Sequence, residues 1–505
     1  MSGARGEGLV LAVPLRFEAH ALRRGAPEAR IVQTGMGRRR ARAAAGRIAH
    51  APGNVVAVTG FAGALAPDLE PGDVVVATEV RGADEPVECA ATELVASMLR
   101  RAGLRVHVGP IVSVPKVVVV GAERKRLADT GAVAVDMESA WLARGCAGRP
   151  WAVVRTIVDT PGRDLHRPLA TAAGALRAYR ALSRIAAVLS QWGEATGSRR
   201  VVLANPRASC AGVERAIEVV ERALERYGAP LYVRRQIVHN THVVRDLEHR
   251  GAVFVDEVED VPEGARVVFS AHGVSPAVRE AARVRELDVI DATCPLVSKV
   301  HAEARRFESA GYTIMLVGHA GHDEIEGTLG EAPDAIRLVA DIHEAREVEA
   351  DDPDRVAYLT QTTLAVDETS EIVDTLRERF PTLAGPRTDD ICYATQNRQD
   401  AIRALAKGCD TILVVGSRNS SNSMRLVEVA ERAGCPAHLV DGIGDVDPVW
   451  LSGANTVGVT AGASAPERVV QNLVTSLTAL GPVEVLENDG ISENVRFGLP
   501  AELKG

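Results

Sequence analysis

Residues 201–228 read VVLANPRASCAGVERAIEVVERALERYG, and this stretch decides the fold of the chain from there to its end. VVLANP predicts a strand, PRASC a turn, and GVERAIEVVERALERYG a helix with Val213, Ile217, Val220 and Leu224 along one face. The unit recurs. Strands are expected at ARVVFS, LDVID, YTIMLVG, RVAYLT, DTILVVG and NTVGV, and the loops AHGVSP, ATCPL, HAGHDEIEGT, QTTL, SRNSSNS and TAGASAP come after them in that order. Val-rich runs alternating with Ala/Arg/Glu-rich helical stretches predict parallel α/β architecture, whose ligands bind where the strands end. Tandem units of this kind imply several small α/β subdomains facing a shared centre.

Upstream, the helical pattern ALRAYRALSRIAAVLSQW gives way to GEATGSRR, small and polar. A linker is expected at 193–200, dividing a domain at 1–192 from one at 201–505. A length of 505 residues with 46% hydrophobic content lets either part bury a sizeable core. The net charge of -9 gives no basic field for nucleic acid. No apolar run has transmembrane length, and MSGARGEG lacks the pattern of a signal peptide. The expectation is a cytoplasmic protein with no membrane span and with reduced thiols, which favours metal binding over disulfides.

Cys210, Cys294 and Cys392 each sit in a loop after a short apolar run, among polar and turn-forming residues, without a close CxxC pairing. Any one cysteine alone reads as a small buried hydrophobe, and Cys89, Cys146, Cys409 and Cys435 read that way. Three thiolates converging on one centre are one ligand short of a closed four-cysteine site, which leaves one iron of a cubane cluster open.

The other loops describe an anion pocket. His239, His272 and His322 stand beside turn residues, NSSNS occupies 419–423, and Ser464 lies in TAGAS, with little Lys or Arg apart from Arg418. Histidines, hydroxyls and amides of this kind suit a diphosphate. Glu324 lies two residues after His322, and with Thr362 of TQTTL it forms a candidate proton-delivery pair. Glu326 is a rival, and a carboxylate in the first turn of a helix is the alternative role for Glu324.

These motifs, LANPR..CAGV, IVHN, FSAHGVS, DATCPLV.KVH, GHAGHDEIEGT, TQTTL, GPR.DDICYATQNRQ, NSSNS and GVTAGASAP, resemble in order the 4-hydroxy-3-methylbut-2-enyl diphosphate reductase (IspH/LytB) family over about residues 201–505. The resemblance implies three α/β subdomains around a central 4Fe–4S cluster bound by Cys210, Cys294 and Cys392. It implies that His239, His272, Ser420, Asn422 and Ser464 contact the diphosphate, with Ser421 and His322 alongside. Glu324 becomes the proton donor, with Thr362 in the relay. The implied reaction removes a hydroxyl as water and yields isopentenyl and dimethylallyl diphosphate, the last step of the methylerythritol phosphate route, with ferredoxin or flavodoxin as electron donor. One departure stands out: the family's usual Gly-Phe before the first cysteine is Ala208-Ser209 here. A glycine there would supply a backbone conformation that alanine resists.

In the first domain, TGMG (34–37) and VTGFAGAL (58–65) are Gly-rich turns after strands. AVDMESAWLA around Glu138 and AVVRTIVDTPGRDL around Asp159 complete a resemblance to the nucleoside phosphorylase and nucleosidase superfamily, nearest its hopanoid-associated branch. That resemblance implies a purine nucleoside as ligand, with Glu138 on the ribose hydroxyls, Met137 against the sugar and Asp159 protonating the purine. A carboxyl in that role needs a raised pKa, so Asp159 is expected to be partly desolvated. Val158 replaces the usual serine, and Glu18, a candidate to activate water or bind ribose, sits in a poorly matching stretch. A non-catalytic first domain is the competing reading. An iron–sulfur sensor is the competing reading for the second, opposed by the acidic charge and the lack of a basic helix-turn-helix.

Overall fold

The computed structural model describes residues 8–82, 84–118, 121–160 and 168–504, without the side chains of 168–173. The start MSGARGE and the PGRDL piece of the aspartate motif lie outside the described residues. The chain forms two compact units: Met1–Val201 with Gly442–Thr456 and Asn472–Val485, and Val202–Asp441 with Val457–Gln471 and Leu486–Gly505.

This differs from a clean division at 193–200. The helix Pro168–Glu194 runs into that stretch, and the strand Arg199–Leu203 begins within it. Between them the Gly197 N–H donates to the Leu480 carbonyl at 2.8 Å. Two later segments belong to the first unit because its helices offer them partners. The indole N–H of fully buried Trp192 donates to the Ala479 carbonyl at 2.9 Å. The Arg101 guanidinium donates to the carbonyls of Gly444 (2.6 Å) and Val446 (2.9 Å).

In the first unit, eight strands form one sheet. Val55–Ala64, Ala134–Asp136, Val106–Ser113, Val74–Arg81 and Trp151–Asp159 pair in a closed circuit, the last strand returning to the first. Closure leaves those five without a free edge. The Val-rich segments VVAVTG and VVVA are buried on both faces, as closure requires. Val56, Val58, Val75 and Val153 pack against Ile48 and Leu142.

The second unit is built on parallel sheets. One orders Ala252–Val255, Leu231–Arg234, Arg266–Phe269 and Asp288–Asp291; another orders Ile336–Val339, Thr313–Val317 and Val356–Thr360. A third orders Ala437–Val440, Thr411–Val415 and Thr456–Ala461. Every strand expected from the sequence is present. The polar loops leave the C-terminal ends of these strands, with one exception. Cys392 comes after the helix Val366–Arg379 and an irregular stretch that meets the sheet through an Ala357–Ala384 bridge and through the Asp390 carboxylate, which accepts the Thr360 N–H at 3.1 Å.

Trp192 is the largest fully buried side chain. Trp192→Ala should therefore cost about 3–5 kcal/mol, as large-to-small core substitutions do, and urea unfolding followed by circular dichroism measures it.

Candidate functional site

Each of the three singled-out cysteines caps the N-terminus of a helix. Cys210 precedes Ala211–Tyr227, Cys294 precedes Pro295–Ser309 with proline in the first turn, and Cys392 precedes Tyr393–Ala406. Their backbone N–H groups are pinned to neighbouring loops: Cys210 to Ala463 O (3.2 Å), Cys294 to Ala271 O (3.0 Å), Cys392 to Thr362 O (3.0 Å). No side chain caps these helices in the cysteines' place, so each Sγ lies at the positive end of a helix dipole. Burial pushes the Cys294 thiol up to about 11 and the Cys392 thiol to about 12, with the neighbouring Cys210 adding to both. Gly212 explains the close approach. A Cβ there would stand 2.7 Å from Cys294 Sγ and 3.8 Å from Cys210 Sγ, so only glycine fits.

The three histidines converge. The rings of His239 and His272 stack with centroids 4.0 Å apart, and His322 meets them edge-on at 5.5 and 5.9 Å. Burial lowers the pKa of His239, takes His272 well below the usual imidazole range and His322 to about 4. All three are neutral at pH 7. The Glu324 N–H donates to His322 Nδ1 at 3.2 Å, which leaves the ring proton on Nε2. Opposite them, Ser420 and Ser464 share a 3.1 Å hydroxyl contact, and the Asn422 carbonyl oxygen accepts the Ala463 N–H at 2.9 Å. The Thr363 hydroxyl donates to Ser421 Oγ at 3.1 Å.

Glu324 is 2% exposed, and burial pushes its carboxyl up to about 7. Thr362 grips it twice, through its N–H (2.7 Å) and its hydroxyl (2.9 Å). The Thr362 carbonyl also receives the Cys392 N–H, so one residue joins a cysteine loop to the buried acid. Helix capping falls to His322, not Glu324. Glu326 does not line the cavity; its side chain is 47% exposed and pairs with Arg235 at 2.7 Å.

All of Cys210, Cys294, Cys392, His239, His272, His322, Glu324, Thr362, Ser420, Ser421, Asn422 and Ser464 line one cavity of about 110 Å³. No Lys or Arg is among its lining residues, and Arg418 is exposed outside it. Sequence reasoning missed Gly212, Thr363 and Thr395, which carry no signal beyond standing next to cysteine and threonine motifs. It also missed Asp323. That carboxylate lies 3.8 Å from both His239 Nε2 and His272 Nδ1 and is held by Arg235. The remaining cysteines are core or near-core: Cys89 and Cys146 in the first unit, Cys435 in the second, with Cys409 packed against the same cluster as Cys435.

A separate cavity of about 160 Å³ in the first unit brings together Glu18, Met137, Glu138 and Asp159, with Met36 and Phe61. Glu138 accepts the Gly37 N–H of the TGMG turn at 2.9 Å, and Glu18 accepts those of Leu15 and Phe61, both at 2.8 Å. Burial raises both glutamates, opposed by Arg155, which is fully buried and paired with Asp136 at 2.7 Å. Asp159 is partly desolvated, as expected, and also has a partner that was not expected. Its side chain is only 14% exposed, but it is ion-paired with Arg124, and a guanidinium in contact favours the carboxylate over the acid. Arg124 was not foreseen, since GAERKRLA reads as a solvated helix face.

Known proteins bear on both units. A family model described as LytB protein matches residues 201–478, and one described as Phosphorylase superfamily matches 13–192. The 4-hydroxy-3-methylbut-2-enyl diphosphate reductase of Nocardia farcinica is 57% identical over 312 residues, which is 62% of this chain and 93% of that protein. The enzyme of that name from Azoarcus sp. is 55% identical over 307 residues, covering 61% of this chain and 98% of the relative. Among solved structures, the E-1-hydroxy-2-methyl-but-2-enyl-4-diphosphate reductase from Plasmodium falciparum superposes with a TM-score of 0.58 at 37% identity, over 61% of this chain and 97% of that one. Among the described residues, no helix is long and apolar enough to cross a membrane. Matched over more than half its length, and with relatives of this similarity covered almost end to end, the chain belongs to the LytB protein family.

Proposed function

We propose that the second unit reduces (E)-4-hydroxy-3-methylbut-2-enyl diphosphate to isopentenyl and dimethylallyl diphosphate, closing the methylerythritol phosphate route in the cytoplasm. The observation that carries this is a single cavity faced by three helix-capping thiols and a buried, proton-holding glutamate. The donor set fits a 4Fe–4S cluster: three soft sulfur ligands, no fourth cysteine among the lining residues, and helix N-termini that favour thiolate. When bound by Cys210, Cys294 and Cys392, such a cluster supplies electrons, received from a donor such as ferredoxin or flavodoxin, and one Lewis-acidic iron.

The chain's own groups do the rest. His239, His272, Ser420, Asn422 and Ser464, with Ser421 and His322 beside them, hold the diphosphate through neutral donors. A carboxyl near 7 holds its proton in about half of the molecules at neutral pH. In that form Glu324 delivers one proton to the departing hydroxyl, which leaves as water, while two electrons and a second proton taken up at the allylic carbon complete the reduction. Thr362 orients that carboxyl through both of its hydrogen bonds.

For the first unit the reading is a purine-nucleoside site. Glu138, fixed by Gly37, clamps the ribose hydroxyls, with Met137 against the sugar, and Asp159 is the acid that faces the base. Met36 and Val117 are exposed apolar groups in the cavity lining, and they suit an extended 5′ substituent such as a hopanoid intermediate carries. The Arg124 pair makes Asp159 a poor acid until the guanidinium moves away.

Cys210→Ser, Cys294→Ser and Cys392→Ser should each lose the iron chromophore and reductase activity, while Cys409→Ser and Cys435→Ser keep both. Iron analysis and spectra of anaerobically purified protein decide this. A fully active variant among the first three would sink the cluster assignment.

Glu324→Gln should lower turnover about a hundredfold while iron content and substrate binding persist. The folded pKa of about 7 lies above the ordinary 4.5, so the stability this group contributes is complete below 4.5 and is lost as pH rises through 7. Relative to wild type, the metal-free glutamine variant should therefore gain roughly 3 kcal/mol between about pH 5 and pH 8, read by urea unfolding at each pH.

Asp159→Asn should abolish purine release and leave the reductase unchanged, whereas Arg124→Met should increase release by freeing the carboxyl to hold a proton. Assays on adenosine derivatives with and without phosphate separate phosphorolysis from hydrolysis. No purine release from wild type or Arg124→Met would establish a non-catalytic unit.

A further inference from the structure

Ala208 carries φ of +60°, the left-handed region that penalises any side chain with a Cβ, and it is buried two residues before Cys210. What holds it there is Arg398, 190 positions on in sequence and 1% exposed at its side chain. Its guanidinium donates to the Ala208 carbonyl from Nε (3.0 Å) and Nη2 (2.7 Å), and Nη2 also reaches the Ser209 carbonyl at 3.4 Å. The remaining nitrogen, Nη1, donates to the Ala394 carbonyl (3.0 Å) and to both carboxylate oxygens of Glu493 (3.1 and 3.2 Å). Asn397 holds that same carboxylate at 2.9 Å.

The two strains oppose each other. If Ala208 relaxed to an ordinary backbone conformation, its carbonyl would turn and strip a buried cation of two charge-assisted bonds, which are costly to lose in a buried setting. Without the guanidinium, the left-handed turn would lose the two bonds that offset its cost. That turn fixes where the chain enters the Cys210 helix, and so where its Sγ faces. The placement is tight, because Gly212, one position into the helix beyond Ala211, lies directly against Cys294 Sγ.

We infer that Arg398, anchored by Glu493, is a positioning residue for the Cys210 loop, holding Ala208 in a strained turn so that Cys210 meets the other two cysteines. The inference rests on the reading of Cys210 as an iron ligand. It does not place Arg398 in contact with substrate or metal. It predicts a particular non-additivity: a glycine at 208 removes the strain that Arg398 opposes, so the guanidinium should matter far less in that background.

The test uses the full chain as wild type, Ala208→Gly, Arg398→Gln and the double variant, each reconstituted anaerobically with iron and sulfide. Iron per chain and the half-time of chromophore bleaching by a chelator are measured, together with thermal unfolding of the metal-free proteins. Arg398→Gln should bleach about tenfold faster than wild type, Ala208→Gly no faster, and the double variant within about threefold of wild type. The metal-free unfolding temperatures should follow the same order. Equal acceleration by Arg398→Gln in both backgrounds, or none in either, overturns the inference. If Arg398→Gln does not fold, a folded, iron-binding double variant supports the inference. A double variant that also fails to fold makes Arg398 a fold-wide support and overturns it. Should wild type bind no iron, or Cys210→Ser bleach as slowly as wild type, the cluster reading fails instead. The unfolding series then still decides whether Arg398 and Ala208 are coupled.

Discussion

The convergence of three thiols at three helix N-termini is the constraint on which the rest of the second unit depends. A parallel strand that hands over to a helix leaves a short turn at the carboxyl end of the sheet, with N–H groups unsatisfied and pointing outward. Cysteine sulfur at the capping position accepts those bonds more weakly than a serine or aspartate oxygen does; the first-turn N–H groups of Leu296 and Val297 face Cys294, and those of Ala394 and Thr395 face Cys392. The helix ends are thus kept electropositive at the sulfur atoms. Their cost is met by neighbouring loops: Ala463, Ala271 and Thr362 each accept a cysteine N–H. Because each of those loops also supplies residues to the cavity, the cysteine geometry and the polar wall are fixed together.

The polar wall is neutral for a related reason. A cavity of this depth penalises every charge, and burial is the leading influence on His239, His272, His322 and Glu324 alike. The histidines respond by staying unprotonated and the glutamate by titrating near 7. Charge is displaced to the rim, where Arg235 gathers Asp323, Glu326 and Glu257. A diphosphate bound as proposed would meet hydrogen-bond donors that have already shed most of their water, and no cation that would have to be desolvated with it. Thr362 links this wall to the cysteines, since a shift of the Cys392 loop would move the residue that orients Glu324.

Much of this was legible because a parallel sheet writes itself as Val-rich runs ending in turn residues. The strands ARVVFS and YTIMLVG, the cysteines and the histidine loops were all found that way. Short strands such as Leu231–Arg234, Ala252–Val255, Ile336–Val339 and Ala437–Val440 were not, because four residues are too few to show a periodicity. Cys392 was placed with its fellows for the right surroundings but the wrong element, since it comes after a helix and an irregular stretch. The allegiance of 442–456 and 472–485 to the first unit was invisible. It depends on hydrogen bonds such as Trp192 to Ala479, which join residues 287 apart. Ala208 is the converse case. Its departure from glycine marked a backbone demand in the sequence, and the positive φ is that demand made visible.

Glu324 and Asp159 show why a carboxyl's role cannot be read from its motif. Both lie in cavities, both are largely shielded from water, and both sit in stretches that pointed to proton donation. Glu324 has no cation near it, only a threonine that donates twice, and burial wins over those bonds. Asp159 has Arg124 in contact, 35 positions earlier in the chain, and a paired guanidinium stabilises the charged form that burial would disfavour. The difference is the presence of one partner, and that partner is a matter of tertiary structure. In the first unit the same logic extends to Arg155, a single fully buried cation set against Asp136, Glu138 and Glu18. Burial is the leading influence on both glutamates and raises them, Glu138 to about 7, while Arg155 and the N–H groups of Gly37, Leu15 and Phe61 work against it.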